Sequence, residues 1–282
     1  MAVHFARSPR VLAALLVLGG LAAHAQQAPA PAQNLPPVTV TGKAADEPVE
    51  KSYRRMVRGM DLFERNRREL APQASLRFKL LPRKRDTDLR NLELVVLGRS
   101  VEMPVDVAAD HTFTLARNEK ALAENAVVTP DRKALTMTWR AEVRTPGLPP
   151  NTRRLGDLRL ECQVGMEAGL FSNSPSWITQ IFSAPGNTPA YCDRADNQYL
   201  FFAERPLFGV TLVHGTRREN VPVHRLWGGA LDDPRLQRGG LAYCDCEVLL
   251  DRTYYLPLAD RSWPHDTLVL FDYMEERDAA VR

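Results

Sequence analysis

Residues 135–143 read Leu-Thr-Met-Thr-Trp-Arg-Ala-Glu-Val, a strict alternation of apolar and polar side chains. Because successive side chains of a β-strand point to opposite faces, this pattern predicts a strand with one buried and one solvated face. Strand-like runs occur on both sides of it, in the segments 76–80, 92–97, 101–107, 113–115, 158–166, 199–203, 207–214, 221–224, 246–250, 254–258 and 267–273. Many short strands separated by turn residues favour a mostly β fold of one or two tandem antiparallel β-sandwich units. In the run 207–214, we expect Phe208, Val210 and Leu212 to share one face.

The segment before these strands has a helical period instead. Its apolar side chains recur every three or four residues, at Val49, Tyr53, Met56, Val57, Met60 and Phe63. Pro72 is a typical helix-terminating residue, so we predict one amphipathic helix over residues 49–72. The other faces of this helix carry a set of basic side chains: Arg54, Arg55, Arg58, Arg65, Arg67 and Arg68.

Charge is divided unevenly along the chain. Of the 282 residues, 44% are hydrophobic, which excludes a wholly disordered chain. The formal net charge is only +3, which disfavours nucleic-acid binding. Residues 51–85 hold 12 basic and 3 acidic side chains, whereas residues 86–282 hold 22 basic and 28 acidic ones. Two interpretations follow. The basic helix either presents arginines to an anionic partner, or docks on the acidic body of its own chain with the remaining arginines solvated; we favour the second.

The amino terminus predicts export. Residues 1–25 have the three parts of a secretory signal: Arg7 and Arg10, an uncharged run over 11–23, and a cleavage site that ends at Ala25. The run is too short to span a membrane, and no second one of that length follows, so we expect a periplasmic protein without a transmembrane segment. Residues 26–48 are rich in Pro and Ala and predict an extended linker.

The remaining chain divides by composition. After the helix of 49–72 we expect a β-sandwich over 73–170, a connection rich in Ser, Asn, Pro and Gly over 171–191, and a second β unit over 192–282. Residues 96–105 and 213–223 both read as a strand, a Gly turn, a Glu and then Pro-Val. This similarity indicates either two related units in tandem or two unrelated hairpins.

Residues 92–115 include the sequence Asp110-His111-Thr112-Phe113. This part of the chain resembles a carboxypeptidase-regulatory-like, or transthyretin-like, β-sandwich domain, in which an Asp-Gly-x-Phe turn is common. His111 stands where that family has Gly, so a positive φ would be strained here. The resemblance implies a folding, stabilising or adhesive module, and it transfers no catalytic residue.

The four cysteines, Cys162, Cys192, Cys244 and Cys246, are expected to form disulfides in an oxidising compartment. Cys244 and Cys246 are too close in sequence to bond to each other without strain. We therefore predict that Cys162 and Cys192 each bond one member of that pair.

Several residues are candidates for chemistry. Cys244 and Cys246 with His214 or His224 could bind copper(I) or zinc, and carboxylates within 232–247, from Asp232 to Glu247, could serve a hydrolase. The sequence has no Cys-x-x-Cys or His-x-x-x-His pair, and paired acids near Pro and Gly are typical of turns, so we expect no catalytic residue, metal or cofactor. Trp227, in a Leu-Trp-Gly-Gly segment, is the side chain best placed for ligand contact. The sequence as a whole favours an exported, non-catalytic binding or structural module, with an unknown envelope protein or polysaccharide as its partner; a periplasmic hydrolase and a metal-handling protein are the alternatives.

Overall fold

The structure, a computed structural model, describes residues 50–83, 87–133, 136–170, 188–227 and 249–274. In those ranges the chain forms thirteen strands in four antiparallel sheets and three α-helices. The prediction of a mostly β fold with an amphipathic helix ahead of the β body is therefore confirmed. The predicted signal peptide and linker lie outside the described residues.

The first part of the chain contains two sheets. One has the order β5-β2-β7, with β5 at Thr112–Phe113, β2 at Ser75–Pro82 and β7 at Met137–Arg144. The other has the order β1-β6-β3-β4, with β1 at Lys51–Ser52, β6 at Val127–Pro130, β3 at Leu94–Leu97 and β4 at Glu102–Val105.

The later part contains the other two sheets. A four-stranded sheet has the order β11-β10-β13-β8, with β11 at Arg217–Asn220, β10 at Leu207–His214, β13 at Leu268–Tyr273 and β8 at Thr152–Arg154. A two-stranded sheet joins β12, at Thr253–Tyr254, to β9, at Phe201–Phe202. The helices are α1 at Tyr53–Leu70, α2 at Glu119–Ala123 and α3 at Leu155–Ala168.

Helix α1 forms as its periodicity predicts. The Ser52 side chain accepts a hydrogen bond from Arg55 N at 3.4 Å, which caps the first turn, and the helix ends at Leu70, two residues before Pro72. Its apolar face packs on α3, and Gly59 lies at the crossing, where an added Cβ would sit 3.0 Å from Ala168 Cβ. The contact therefore depends on a small residue at position 59.

Three arginines of α1 bind the protein's own structure. Arg55 donates to the carbonyl oxygens of Met166 and Glu167 at the end of α3, where a cation is favourable, and Arg58 pairs with the Glu167 carboxylate at 2.8 Å. Arg54 donates to the carbonyl of Leu122 in α2 at 2.7 Å. The other three, Arg65, Arg67 and Arg68, lie further along the helix, and Arg65 and Arg68 are exposed.

Two hydrophobic cores lie side by side, and α3 contributes to both. The first core contains side chains from α1, β2 and β7, including Met56, Phe78 and Trp139, and receives Leu160, Val164 and Ala168 from α3. The second core contains Phe201, Tyr254 and Trp263, and receives Leu155, Leu158, Cys162 and Met166 from the opposite side of α3. The predicted domain boundary at residues 170/171 stays a prediction.

The strand predicted over 158–166 is wrong, since these residues belong to α3. The alternation of apolar and charged residues there does not mark a buried and a wet face. Asp157, Arg159 and Glu161 are themselves buried, with exposures of 0%, 3% and 6%. A helix buried on every side loses the amphipathic period from which it could be recognised.

Two further expectations in the second half are wrong. Val210 and Leu212 are buried together, but Phe208 is 68% exposed, because the pairing of β10 with β13 shifts between Leu207 and Gly209. The strand expected over 221–224 is instead replaced by a short 3-10 helix at Val223–Arg225, which follows Pro222.

The predicted cysteine pairing is also wrong. Cys162 in α3 bonds directly to Cys192 in a 3-10 helix at Pro189–Asp193, with 6.0 Å between the two Cα atoms. The prediction took Cys162 for a strand residue, whereas α3 turns it toward the second core, where Cys192 also lies. Cys244 and Cys246 lie outside the described residues.

The turn at Asp110-His111-Thr112-Phe113 has a left-handed residue at His111. His111 has a φ of 61°, and Asp110 Oδ1 accepts hydrogen bonds from the backbone N and the hydroxyl of Thr112. The two segments that look repeated, 96–105 and 213–223, include the turns of the hairpins β3-β4 and β10-β11. Their turns differ, since Gly215 has a φ of 58° whereas Gly98 is not left-handed.

Candidate ligand-binding cleft

A cleft of about 250 Å³ lies between the connection from β7 to β8 and strands β9, β12 and β13. One side of the cleft is formed by residues from the end of β7 to β8: Arg144, Thr145, Leu148, Pro149, Pro150, Asn151, Thr152 and Arg153. The other side is formed by residues in or next to β9, β12 and β13: Phe202, Ala203, Glu204, Tyr254, Phe271 and Tyr273. A smaller depression beside it shares Arg144, Arg153 and Glu204 and adds Lys79, Arg140, Glu142 and Glu161.

The loop on one side of the cleft has a fixed shape. Gly147 and Asn151 have φ values of 76° and 55°, and two prolines stand between them. The backbone carbonyl of Asn151 accepts a hydrogen bond from Phe271 N at 2.8 Å. The side-chain Oδ1 of Asn151 accepts one from Arg205 at 3.4 Å. The loop is thereby attached to β13 and to the rim of the cleft.

The edge of β7 that faces away from β2 reaches the cleft at Arg144. Arg83 N donates to the Thr136 carbonyl, and backbone hydrogen bonds in an antiparallel pair alternate along the strand. The N–H and C=O groups of even-numbered β7 residues therefore bond to β2, whereas those of odd-numbered residues point away from β2. Side chains of α3 and β8 satisfy that edge. Val143 N donates to Glu161 Oε2 at 3.1 Å, and the Val143 carbonyl accepts from Arg153 at 2.6 Å.

Asp157 satisfies a backbone group on the same side of the chain just past the end of β7, at Thr145. Its two carboxylate oxygens accept hydrogen bonds from the backbone N of Thr145 at 2.9 Å and from the Thr145 hydroxyl at 2.8 Å. Asp157 is fully buried, and a buried carboxylate is tolerated only when hydrogen bonds replace its water. The buried acids of α3 therefore take the place of a neighbouring strand at this edge.

Arg153 and Glu161 form a buried ion pair beneath the cleft. Arg153 Nη2 lies 2.6 Å from Glu161 Oε2, and both side chains are more than nine-tenths buried. Burial, the largest single effect, lowers the pKa of Arg153, but the charge and hydrogen bond of Glu161, with smaller effects of Tyr254 and Asp157, together make the net shift upward. The guanidinium is therefore held as a permanent cation.

Two guanidinium groups at the cleft have hydrogen-bonding capacity left. Arg153 uses only Nη2, for Val143 and Glu161, and its Nε is buried without an acceptor. Arg144 likewise uses only Nη2, which donates to Glu204 at 2.6 Å and to Glu142 at 3.3 Å. Within the described part of the chain, Nη1 of both arginines makes no hydrogen bond.

The rim is an ion-pair network that joins β2, β7 and the residues after β9. Lys79 Nζ lies 3.3 Å from Glu142 and 3.8 Å from Glu204, and Arg144 contacts the same two carboxylates. Glu204 is 57% exposed in this network. Lys79 and Glu142 are each 12% exposed, so the network runs from a nearly buried pair out to exposed Glu204.

Aromatic rings form the wall opposite the loop. Tyr254 stacks on Phe201 at 5.4 Å between ring centroids and contacts the edge or face of Phe271 at 5.2 Å, and Phe271 stacks on Tyr273 at 6.1 Å. Burial raises the pKa of Tyr254 and of Tyr273. Both phenols therefore stay protonated near neutral pH and serve as hydrogen-bonding groups.

Trp227, the side chain predicted to contact a ligand, is tied to the protein. Its indole Nε1 donates to the Leu207 carbonyl at 2.8 Å, the ring packs against the second core, and φ is 53°. It does not line the cleft. His214 lies 3.5 Å from Asp266 on the surface, and His224 is exposed. The carboxylates predicted for a hydrolase and the Cys244/Cys246 pair lie outside the described residues.

The cleft residues were not identified from the sequence. Arg153 and Glu161 were hidden because the segment that carries Glu161 reads as an alternating strand. The stretch Thr-Pro-Gly-Leu-Pro-Pro-Asn at 145–151 is the signal that could have found the cleft, since loops of this composition often carry binding residues. It is preceded by an arginine and followed, after Thr152, by two more.

Comparison of the chain with known protein families, curated proteins and solved structures gave no match. The resemblance around residues 92–115 therefore stays a prediction. None of the helices in the described ranges is long and apolar enough to cross a membrane. In the same ranges, no three side chains of His, Cys, Asp or Glu come together as a metal site.

Proposed function

We propose that this protein is exported to the periplasm and serves there as a non-catalytic binding module, with the cleft beside the 145–151 loop as its ligand site. The observation that carries the proposal is the state of Arg153. A buried ion pair holds its guanidinium in place through Nη2, while Nη1 has no acceptor in the described structure. A rigid donor with unused capacity in a cleft is suited to bind a ligand.

The other polar groups of the cleft support binding rather than turnover. Its nearby carboxylates are held by cations, Glu161 by Arg153 and Glu204 by Arg144. The phenols of Tyr254 and Tyr273 are kept protonated by burial, because a raised pKa disfavours the tyrosinate. These groups orient a ligand through hydrogen bonds and are poorly suited to act as a base or a nucleophile.

Binding is tested by calorimetry of the mature chain, residues 26–282, with its disulfide intact. The probes are neutral oligosaccharides, acidic oligosaccharides and short peptides from envelope proteins. We expect at least one class to bind and Arg144→Gln to weaken it. The double variant Arg65→Gln/Arg68→Gln, on the exposed end of α1, is the matched control. Loss of binding in the α1 variant alone would assign the ligand to the basic helix and reject the cleft.

Export is tested separately, in cells that carry the full-length chain. We expect the protein in the osmotic-shock fraction, with Gln26 as its first residue. The proposal draws on the signal-like composition of residues 1–25 and on the disulfide between Cys162 and Cys192, a bond that persists in oxidising compartments. Recovery of uncleaved protein from the cytosol would reject export.

A further inference from the structure

We infer that the ligand of the cleft is an acidic saccharide, a sugar unit that carries a carboxylate; this inference rests on the proposed binding function. The cleft brings Arg144 and Arg153 to one volume of about 250 Å³, with Glu204 as the acid that lines the same space. Lys79 and Arg140 stand beside them in the adjoining depression, together with Glu142 and Glu161. The four cations and three carboxylates of the two spaces leave one net positive charge for a ligand in the cleft.

The guanidinium groups select a carboxylate. Val143 O and Glu161 occupy one nitrogen of Arg153, and Glu142 and Glu204 occupy one nitrogen of Arg144. Within the described structure, each arginine keeps Nη1 for a ligand. Guanidinium groups match the planar, charged oxygens of a carboxylate in geometry and in charge, and hydrogen bonds between such partners are among the strongest in proteins.

The remaining groups of the cleft select hydroxyls. Glu204 can only accept hydrogen bonds, while protonated Tyr254 and Tyr273 can donate and accept. A ligand with a carboxylate and nothing else would leave Glu204 facing a like charge. A sugar that carries both a carboxylate and hydroxyls satisfies the arginines and Glu204 together.

The size of the cleft is consistent with one sugar ring. At about 250 Å³ it lies just below the range of about 300–1,000 Å³ that is typical of sites for drug-sized ligands. The loop with Pro149 and Pro150 closes one side, and the ring contacts of Tyr254, Phe271 and Tyr273 make the other side rigid. Fixed walls reduce the ordering cost of binding.

The experiment compares two probes by calorimetry on the mature chain: a trisaccharide of uronic acids, and the same trisaccharide with its carboxyl groups reduced to alcohols. We expect the acidic trisaccharide to bind about tenfold more tightly, as the gain of a charge-assisted hydrogen bond implies. Arg144→Gln should remove most of this difference. Glu204→Gln should increase it, since a like charge leaves the cleft. Arg65→Gln/Arg68→Gln should change nothing, and the melting temperature of each variant verifies folding.

The outcomes separate the ligand class from the function. Equal affinity for the two trisaccharides, or a preference for the reduced one, overturns the inference and leaves the binding module intact. Binding of a peptide but of neither trisaccharide does the same. Competition by acetate or sulfate at the same concentration as the acidic trisaccharide also overturns it, because the site would then recognise simple anions. If neither trisaccharide nor any peptide binds, both proposals fail.

Discussion

Removal of the disulfide between Cys162 and Cys192 should destabilise the protein by several kcal/mol. The bond joins residues 30 positions apart. In the chain-entropy account, a loop of that length restricts the unfolded chain by roughly 12 cal/mol/K, or about 3.6 kcal/mol at 25 °C. Both cysteines are buried, with exposures of 0% and 2%, so alanine replacements also leave a small packing defect worth about 1 kcal/mol. The double variant Cys162→Ala/Cys192→Ala should therefore lose about 4–5 kcal/mol of unfolding free energy.

The assay is urea unfolding of the mature chain, followed by fluorescence. With an m-value near 3 kcal/mol/M, the upper end for urea, the midpoint should fall by about 1.5 M. The matched control is Cys244→Ala/Cys246→Ala. A non-reduced proteolytic digest of that control should still contain the peptide that links Cys162 to Cys192, as measured by mass spectrometry.

Two results would refute this reasoning. One is an unfolding free energy within about 0.5 kcal/mol of the parent for Cys162→Ala/Cys192→Ala, which is the range of a surface substitution. The other is loss of the linked peptide in the control, because that would mean that Cys162 and Cys192 bond to the other pair, as the sequence alone suggests.

Three further predictions concern stability. Glu161→Gln should cost about 3–5 kcal/mol in urea unfolding, because it leaves the buried Arg153 without its ion-pair partner. The double variant Arg153→Met/Glu161→Leu should recover only part of this loss, because it also leaves Val143 N and O without partners; an equal or larger loss in the double variant would contradict this. His111→Gly should raise the unfolding free energy by up to about 1 kcal/mol, because glycine adopts a φ of 61° without strain; a lower value would show that the histidine is not strained. Burial, with a smaller effect of Arg140, lowers the pKa of Lys51 to about 7, so between pH 7 and about 10.5 the unfolded chain binds a proton that the folded chain lacks. The unfolding free energy should therefore rise with pH from 7.5 to 9.5 in the parent and rise less in Lys51→Met. Equal slopes in the two proteins would exclude this cause.

The parts of the fold that could be predicted are those where apolar residues keep a regular period. Helix α1 and strands β2 and β7 have such a period, and their bounds lie within a few residues of the periodic segments. In β7 the polar face is covered as well, since Thr138 is 1% exposed and the Glu142 side chain 12%. Phe208 shows how the argument fails locally. A shift in strand pairing next to it turns its side chain to solvent, and such a shift leaves no trace in the spacing of apolar residues.

The cleft could not be predicted, because its residues meet only through long-range packing. Arg153 in β8 and Glu161 in α3 are eight residues apart, but their common partner Val143 belongs to a strand of a different sheet. Glu204 reaches Arg144 from a strand connection 60 residues away. Composition pointed to arginines on α1 because they are clustered in sequence, whereas the arginines of the cleft are brought together by the fold.

Helix α3 links the failed prediction to the candidate site. Its charged residues alternate with apolar ones because each buried charge has a separate structural partner. Asp157 and Glu161 cap the open edge of β7, and Arg159 donates to the carbonyls of Leu258, Asp260 and Trp263. A buried charge costs several kcal/mol unless it is paired, so these positions are constrained as strongly as an apolar core. The same carboxylate that made α3 look like a half-exposed strand also fixes Arg153 beneath the cleft, and a donor fixed in this way is what the proposed ligand site requires.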